Sequence, residues 1–145
     1  MSLDAGGSRP PLVLLVDPVI PSRHWMWRSL SRAFGVLEAG DARGAREWMA
    51  RRPDIDALVV EDDLPDERGL DFVRALASDE NPIVSRSIVL ARPSPDWARI
   101  AQAGATLLER GDPRAVLAKL ASWFLIRDAG LARALLRDAG LRKAL

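Results

Sequence analysis

The hydrophobic positions fall into two alternating kinds of block. "LVLLVD" (12–17), "DALVVE" (56–61) and "RSIVLA" (86–91) contain unbroken apolar runs with no in-out alternation. That is the pattern of a parallel strand covered on both faces. "GVLEA" (35–39) and "ATLLE" (105–109) are shorter runs that also read as strands. Between them, apolar residues recur at helical spacing. "SRHWMWRSLSRAF" (22–34) offers Trp25, Met26, Leu30 and Ala33, with Trp25 expected to face the sheet. Trp27 lies about 200° around the helix from Trp25, so the two cannot face the core equally. "DARGAREWMARR" (41–52) opens on Asp41 as an N-cap and packs through Ala45, Trp48 and Met49. "ERGLDFVRALAS" (67–78) packs through Leu70, Phe72, Val73, Leu76 and Ala77. "SPDWARIAQAG" (94–104) has Pro in its first turn and stops at Gly104. "DPRAVLAKLASWFLI" (112–126) begins with Asp112 ahead of Pro113.

Strand and helix alternate five times within about 115 residues, which predicts an α/β domain with a parallel sheet and helices on both faces. The organisation read from the chain is a flexible N-terminal segment over 1–11, one domain over 12–124 and a helical extension over 125–145. The extension repeats "RDAGL" at Arg127 and Arg137 and carries an apolar stripe through Leu131, Ala132, Leu135, Leu136 and Ala139. Two copies are too few for a solenoid. The stripe suits either packing on the domain itself or association with a partner or a second copy through Leu131 and Leu135.

Composition narrows the function classes. The chain has 145 residues, enough for one domain that buries roughly 68–70% of its unfolded surface. It has no Cys and a single histidine, His24, which removes thiol chemistry and multi-histidine metal sites. Its 21 basic and 20 acidic residues leave a net charge of +1, with no footprint for nucleic acid. No apolar run approaches a membrane span and no signal-peptide pattern opens the chain, so a soluble cytoplasmic protein with no membrane partner is expected. "VDPVIPSR" after the first strand has no glycine, which disfavours nucleotide loops. No cofactor and no metal are expected.

Candidate chemistry gathers where three strands end. In open parallel sheets ligands sit beyond the carboxyl ends of the strands. Asp17, Glu61 and Ala91 are each expected at a strand's last residue, with Asp62 and Asp63 following Glu61. Trp97, after the loop "ARPSP", is a candidate for partner contact or for packing on its own loop.

Several of these features together resemble the receiver domain of bacterial two-component response regulators, over about Leu12 to Phe124. Pro65 and Gly69 follow Glu61 at the family's intervals from its phosphoacceptor Asp to a loop Pro and Gly. "EAGDARGAREW" is similar to the family's passage from second strand to second helix, "AGA" (103–105) to the signature before its fifth strand, and "VD" (16–17) to the start of its acidic pair. The resemblance implies a flavodoxin-like three-layer sandwich with strand order 2-1-3-4-5, here with an extra C-terminal helix.

The family takes a phosphoryl group from a histidine kinase onto an Asp, using a divalent metal, a Thr or Ser and a Lys. Against that pattern, the acidic pair is Asp17-Pro18, the acceptor position holds Glu61, and the hydroxyl position falls on Ala91. The Lys-Pro after the fifth strand has no clean match, with Arg110 the nearest cation, and the coupled aromatic is replaced by Leu107 or Leu108. One extra methylene displaces a carboxylate by roughly 1.3–1.5 Å, and a misplacement near 1 Å can cost about 10²-fold in rate. The expectation is a degenerate, non-enzymatic receiver acting as a phosphorylation-independent interaction module. Its degenerate pocket comprises Asp17, Glu61, Asp62, Ala91 and Arg110. Glu61 either points to water or holds negative charge beside Arg110. The competing reading is a phospho-acceptor in a kinase relay using Glu61 or Asp62. A small hydrolase built on Asp17, Glu61, Asp62 and Asp63 is disfavoured by the lone histidine.

Overall fold

The structure, a computed structural model, describes residues 9–95 and 97–124, the side chain of Ile100 excepted. The extension with Leu131 and Leu135 lies outside the described residues. In chain order the elements are β1 (Leu12–Val16), α1 (Ile20–Leu30), β2 (Gly35–Ala39), α2 (Ala42–Arg51) and β3 (Ala57–Glu61). They continue through α3 (Gly69–Ser78), a 3₁₀ turn (Pro82–Arg86), β4 (Ser87–Ala91), α4 (Trp97–Gln102), β5 (Thr106–Glu109) and α5 (Pro113–Phe124). All five strands are parallel, in the order β2-β1-β3-β4-β5. This is the flavodoxin-like arrangement that the alternating blocks and the resemblance imply.

The unbroken apolar runs are explained by burial on both sides. Leu14 and Val16 of β1, Leu58 and Val60 of β3 and Val89 of β4 join one core layer with Ala42, Ala45, Phe72, Val73 and Leu76. The intervening Val13, Leu15, Val59, Ile88 and Leu90 join the opposite layer with Met26, Leu30, Val116, Leu117 and Leu120. Successive side chains of a strand point to opposite faces, so two-sided cover demands apolar residues at every position.

The α1 helix turns differently from the expectation. Met26 and Leu30 face the sheet, Trp27 packs at the edge of that layer, and Trp25 is 56% exposed. Residues at i and i+4 share a face, and the Met26–Leu30 pair sets the phase, leaving Trp25 on the outer side. Trp48 does pack against the other layer, its indole N–H donating to the Glu38 carbonyl at 2.8 Å. Asp41 caps α2 as predicted, accepting from the Gly44 amide at 2.7 Å. Gly104 ends α4 with φ +94°, a conformation L side chains rarely adopt. At the end of α5, Phe124 meets Phe34 edge-on at 6.3 Å, which sets the last described residue beside the foot of α1.

Candidate functional site

The carboxyl ends of β1 and β3 open on a cleft of about 280 Å³, lined by Asp17, Pro18, Val19, Glu61, Asp63, Leu64, Pro65 and Arg110. Of the three residues expected to converge at the strand ends, Asp17 and Glu61 line the cleft and Ala91 does not; Arg110, the cation that the resemblance pointed to, joins them. Glu61 is the last residue of β3, whereas Asp17 lies one residue past the end of β1.

Asp17 is buried, and both of its carboxylate oxygens are engaged locally. Oδ1 accepts from the Val19 amide at 2.8 Å and Oδ2 from the Ser22 hydroxyl at 2.5 Å. The Arg23 guanidinium donates to the Asp17 carbonyl at 3.0 Å and lies 3.3 Å from Glu38. The charge of Asp17 thus organises the start of α1. The sequence reading missed Ser22; its signal was a hydroxyl in the first turn of the helix that follows the acid.

Glu61 lies opposite Arg110, Oε2 to Nε at 3.3 Å, both side chains largely buried. Neither of these two atoms completes a hydrogen bond, so the pair is joined by charge without good donor-acceptor alignment. Burial pushes the Glu61 carboxyl up to about 7; Arg110 pulls it down, and Asp17, Asp63 and Asp62 push it further up. Of the two readings of Glu61, the structure places it beside Arg110 and not in open water. Ala91 ends β4 and is buried, its carbonyl accepting from the Arg110 amide at 3.3 Å. It brings no hydroxyl to the cleft.

Asp62 does not line the cleft. Its Oδ1 accepts from the Leu70 amide at 2.9 Å and its Oδ2 pairs with Arg68 at 2.5 Å, so it serves the first turn of α3. Adjacent strand residues point to opposite faces, which separates Asp62 from Glu61. Further along the same loop, Asp66 accepts from the Ala42 and Arg43 amides at 3.0 and 2.9 Å, capping α2 from outside that helix. Those backbone bonds hold its carboxyl below the usual range, against the opposing effect of desolvation. Gly69 begins α3 hard against β3: a Cβ there would lie 2.4 Å from the Glu61 carbonyl oxygen. Trp97 is half-buried and its indole donates to the Arg92 carbonyl at 2.9 Å, closing its own loop.

The divalent metal used by receivers finds no matching donor set. Asp17 is committed to α1, Pro18 has no carboxylate, and Glu61 faces a guanidinium. Among the described residues no three His, Cys, Asp or Glu side chains gather as a metal site.

No family profile and no curated protein matches the sequence. Solved structures do. A response regulator receiver protein from Pseudomonas putida is 21% identical with a TM-score of 0.69, covering 79% of this chain and 98% of that one. Chemotaxis protein CheY4 of Vibrio cholerae is 24% identical at 0.68, covering 78% and 98%. The receiver domain of a putative response regulator NarL from Mycobacterium tuberculosis is 24% identical at 0.64, covering 75% and 94%. The chain has the receiver fold of two-component response regulators.

Proposed function

We propose that this domain is a phosphorylation-independent protein interaction module of bacterial cytoplasmic signalling, with no catalytic activity of its own. The observation that carries the reading is the Glu61–Arg110 pair inside the cleft. Phosphoryl transfer needs a placed nucleophile, donors aimed at the transferred oxygens and neutralised charge. Here the nucleophile position already faces the cleft's cation, Ala91 offers no donor, and Asp17 is held by Val19 and Ser22. Glu61 is also a poor fixed imitation of a phosphorylated Asp, because a carboxyl titrating at about 7 does not hold a full charge at neutral pH.

The test is incubation with acetyl phosphate and Mg²⁺ followed by prompt intact-mass measurement under denaturing conditions. No adduct of about 80 Da is expected. A stoichiometric adduct that disappears in Glu61→Gln or Asp62→Asn would establish the phospho-acceptor reading instead.

The apolar row through Leu131 and Leu135 supports self-association as the mode of assembly. Light scattering on the full chain is expected to give the mass of a dimer. The Leu131→Asp/Leu135→Asp variant is expected to give that of a monomer at the same concentration. Equal masses would remove the extension from the interface.

A further inference from the structure

Glu61 and Arg110 enter the cleft from elements of unequal freedom. Glu61 belongs to β3, where it is in register with Leu90 of β4 and Gly69 presses against its carbonyl. Arg110 lies in the short loop between Glu109, the end of β5, and Pro113, the start of α5. Its amide reaches the Ala91 carbonyl only at 3.3 Å, beyond the usual range of such a bond. Gly111 follows with φ +114° and no atom within 4 Å of the place a Cβ would take. A glycine in open space is a ready pivot. The glutamate is fixed, and the arginine is the group that can travel.

Its destinations are few. Three carboxylates line the cleft: Asp17, Glu61 and Asp63. Both oxygens of Asp17 are taken by Val19 and Ser22, and Arg23 donates to its carbonyl. Asp62 is turned away and paired with Arg68. Asp63 stands exposed, where water favours the charged form of an acid. Glu61 and Asp63 thus compete for one guanidinium, and Glu61 holds it without a completed hydrogen bond between Nε and Oε2.

We propose that Glu61 and Arg110 form a proton-operated latch: charged Glu61 holds Arg110 inside the cleft, and protonated Glu61 releases it to Asp63 as the loop turns about Gly111. This rests on the reading that no phosphoryl group enters the cleft, and it gives the interaction module a regulator. A proton biases two arrangements by binding one of them better, and the loop ahead of α5 is the element that has two. With the latch shut, Asp63 is bare at the surface; with it open, Arg110 covers that charge, so a partner touching the cleft's lip meets a different surface in each state. Burial first of all, then Asp17, Asp63 and Asp62, raise the Glu61 carboxyl to about 7 against the pull of Arg110, which sets the change close to neutrality. The latch is shut above that value and open below it.

The test follows the full chain by NMR at about pH 5.5 and about pH 8.5, either side of the transition. At the higher pH the Arg110 side chain should show Overhauser contacts to the Glu61 methylenes. At the lower pH those contacts should be lost and replaced by contacts to the Asp63 methylene. The Glu61 carboxyl carbon and the Gly111 amide should shift with one common midpoint near 7. Glu61→Gln should show the low-pH contacts at both pH values, and Asp63→Asn should lose them; dispersed amide spectra confirm that each variant is folded. Contacts from Arg110 to Glu61 that persist after the carboxyl has taken up its proton overturn the inference. So do an absence of contacts to Asp63 at both pH values and a Gly111 response that survives in Glu61→Gln. A phosphoryl adduct at Glu61 would sink the reading of the cleft, whereas unchanging Arg110 contacts sink the latch alone, so the two failures are distinguishable.

Discussion

Gly69→Ala is expected to destabilise the domain by about 3 kcal/mol, at the upper end of the usual cost of overpacking. The added Cβ would stand 2.4 Å from the Glu61 carbonyl oxygen, 2.9 Å from the Asp62 Cα and 3.0 Å from the Glu61 carbonyl carbon. All three are backbone atoms, so no side-chain rotation relieves the clash. The Gly69 amide also donates to the Asp62 carbonyl at 2.8 Å, which ties the helix start to the loop it would have to leave. Relief requires α3 to move away from β3, stretching the bonds that Asp62 makes to Leu70 and Arg68. Urea denaturation should report a midpoint lowered by about 1–3 M. A midpoint within the error of the wild type would mean that α3 shifts at negligible cost.

The second large effect concerns charge. Glu61→Gln is expected to match the wild type in stability at about pH 4 and to exceed it at about pH 8 by about 2 kcal/mol, a figure reduced for solvent screening. In the unfolded chain the carboxyl titrates at its ordinary 4.5; in the folded domain, burial first of all raises it to about 7. Between those values the folded state keeps a proton that the unfolded state has released. The contribution of Glu61 is therefore fully present below about 4.5 and is lost as pH climbs through 7. Glutamine imitates the protonated acid at every pH and escapes that loss. Urea midpoints of both proteins at the two pH values check this. A variant less stable than the wild type at pH 8 would show that attraction to Arg110 outweighs the cost of burying the charge.

Much of this architecture was legible because two-sided burial leaves a plain mark: Leu12–Val16, Ala57–Val60 and Ile88–Ala91 are apolar at every position. The edge strands β2 and β5 were also found, though their half-exposed residues mark them less strongly. The meeting of Asp17 and Glu61 followed from topology, since strand ends in an open parallel sheet share one rim; Arg110 was pointed to only by the resemblance, and Ala91, expected on the same rim, does not line the cleft.

What the sequence withheld was direction. Nothing in "SRHWMWR" reveals whether Trp25 or Met26 faces inward, because both are apolar and adjacent; the phase is set by Leu30, four residues on, against the sheet. The partners of Asp17 were hidden for a related reason. A hydroxyl and a backbone amide inside the next helix turn are local contacts that apolar periodicity does not encode. The capping of α2 by Asp66 joins groups 23 and 24 residues apart, and a helix start normally finds its cap next door.

That borrowed cap has a mechanical meaning. The span from Asp62 to Asp66 fastens α3 at one end, through Leu70, and α2 at the other, through Ala42 and Arg43. Two neighbouring helices on that side of the sheet, α2 and α3, thus hang from a single clasp beside Glu61. Anything that pries the clasp open loosens both together, so a disturbance in the cleft would be felt in two helices at once.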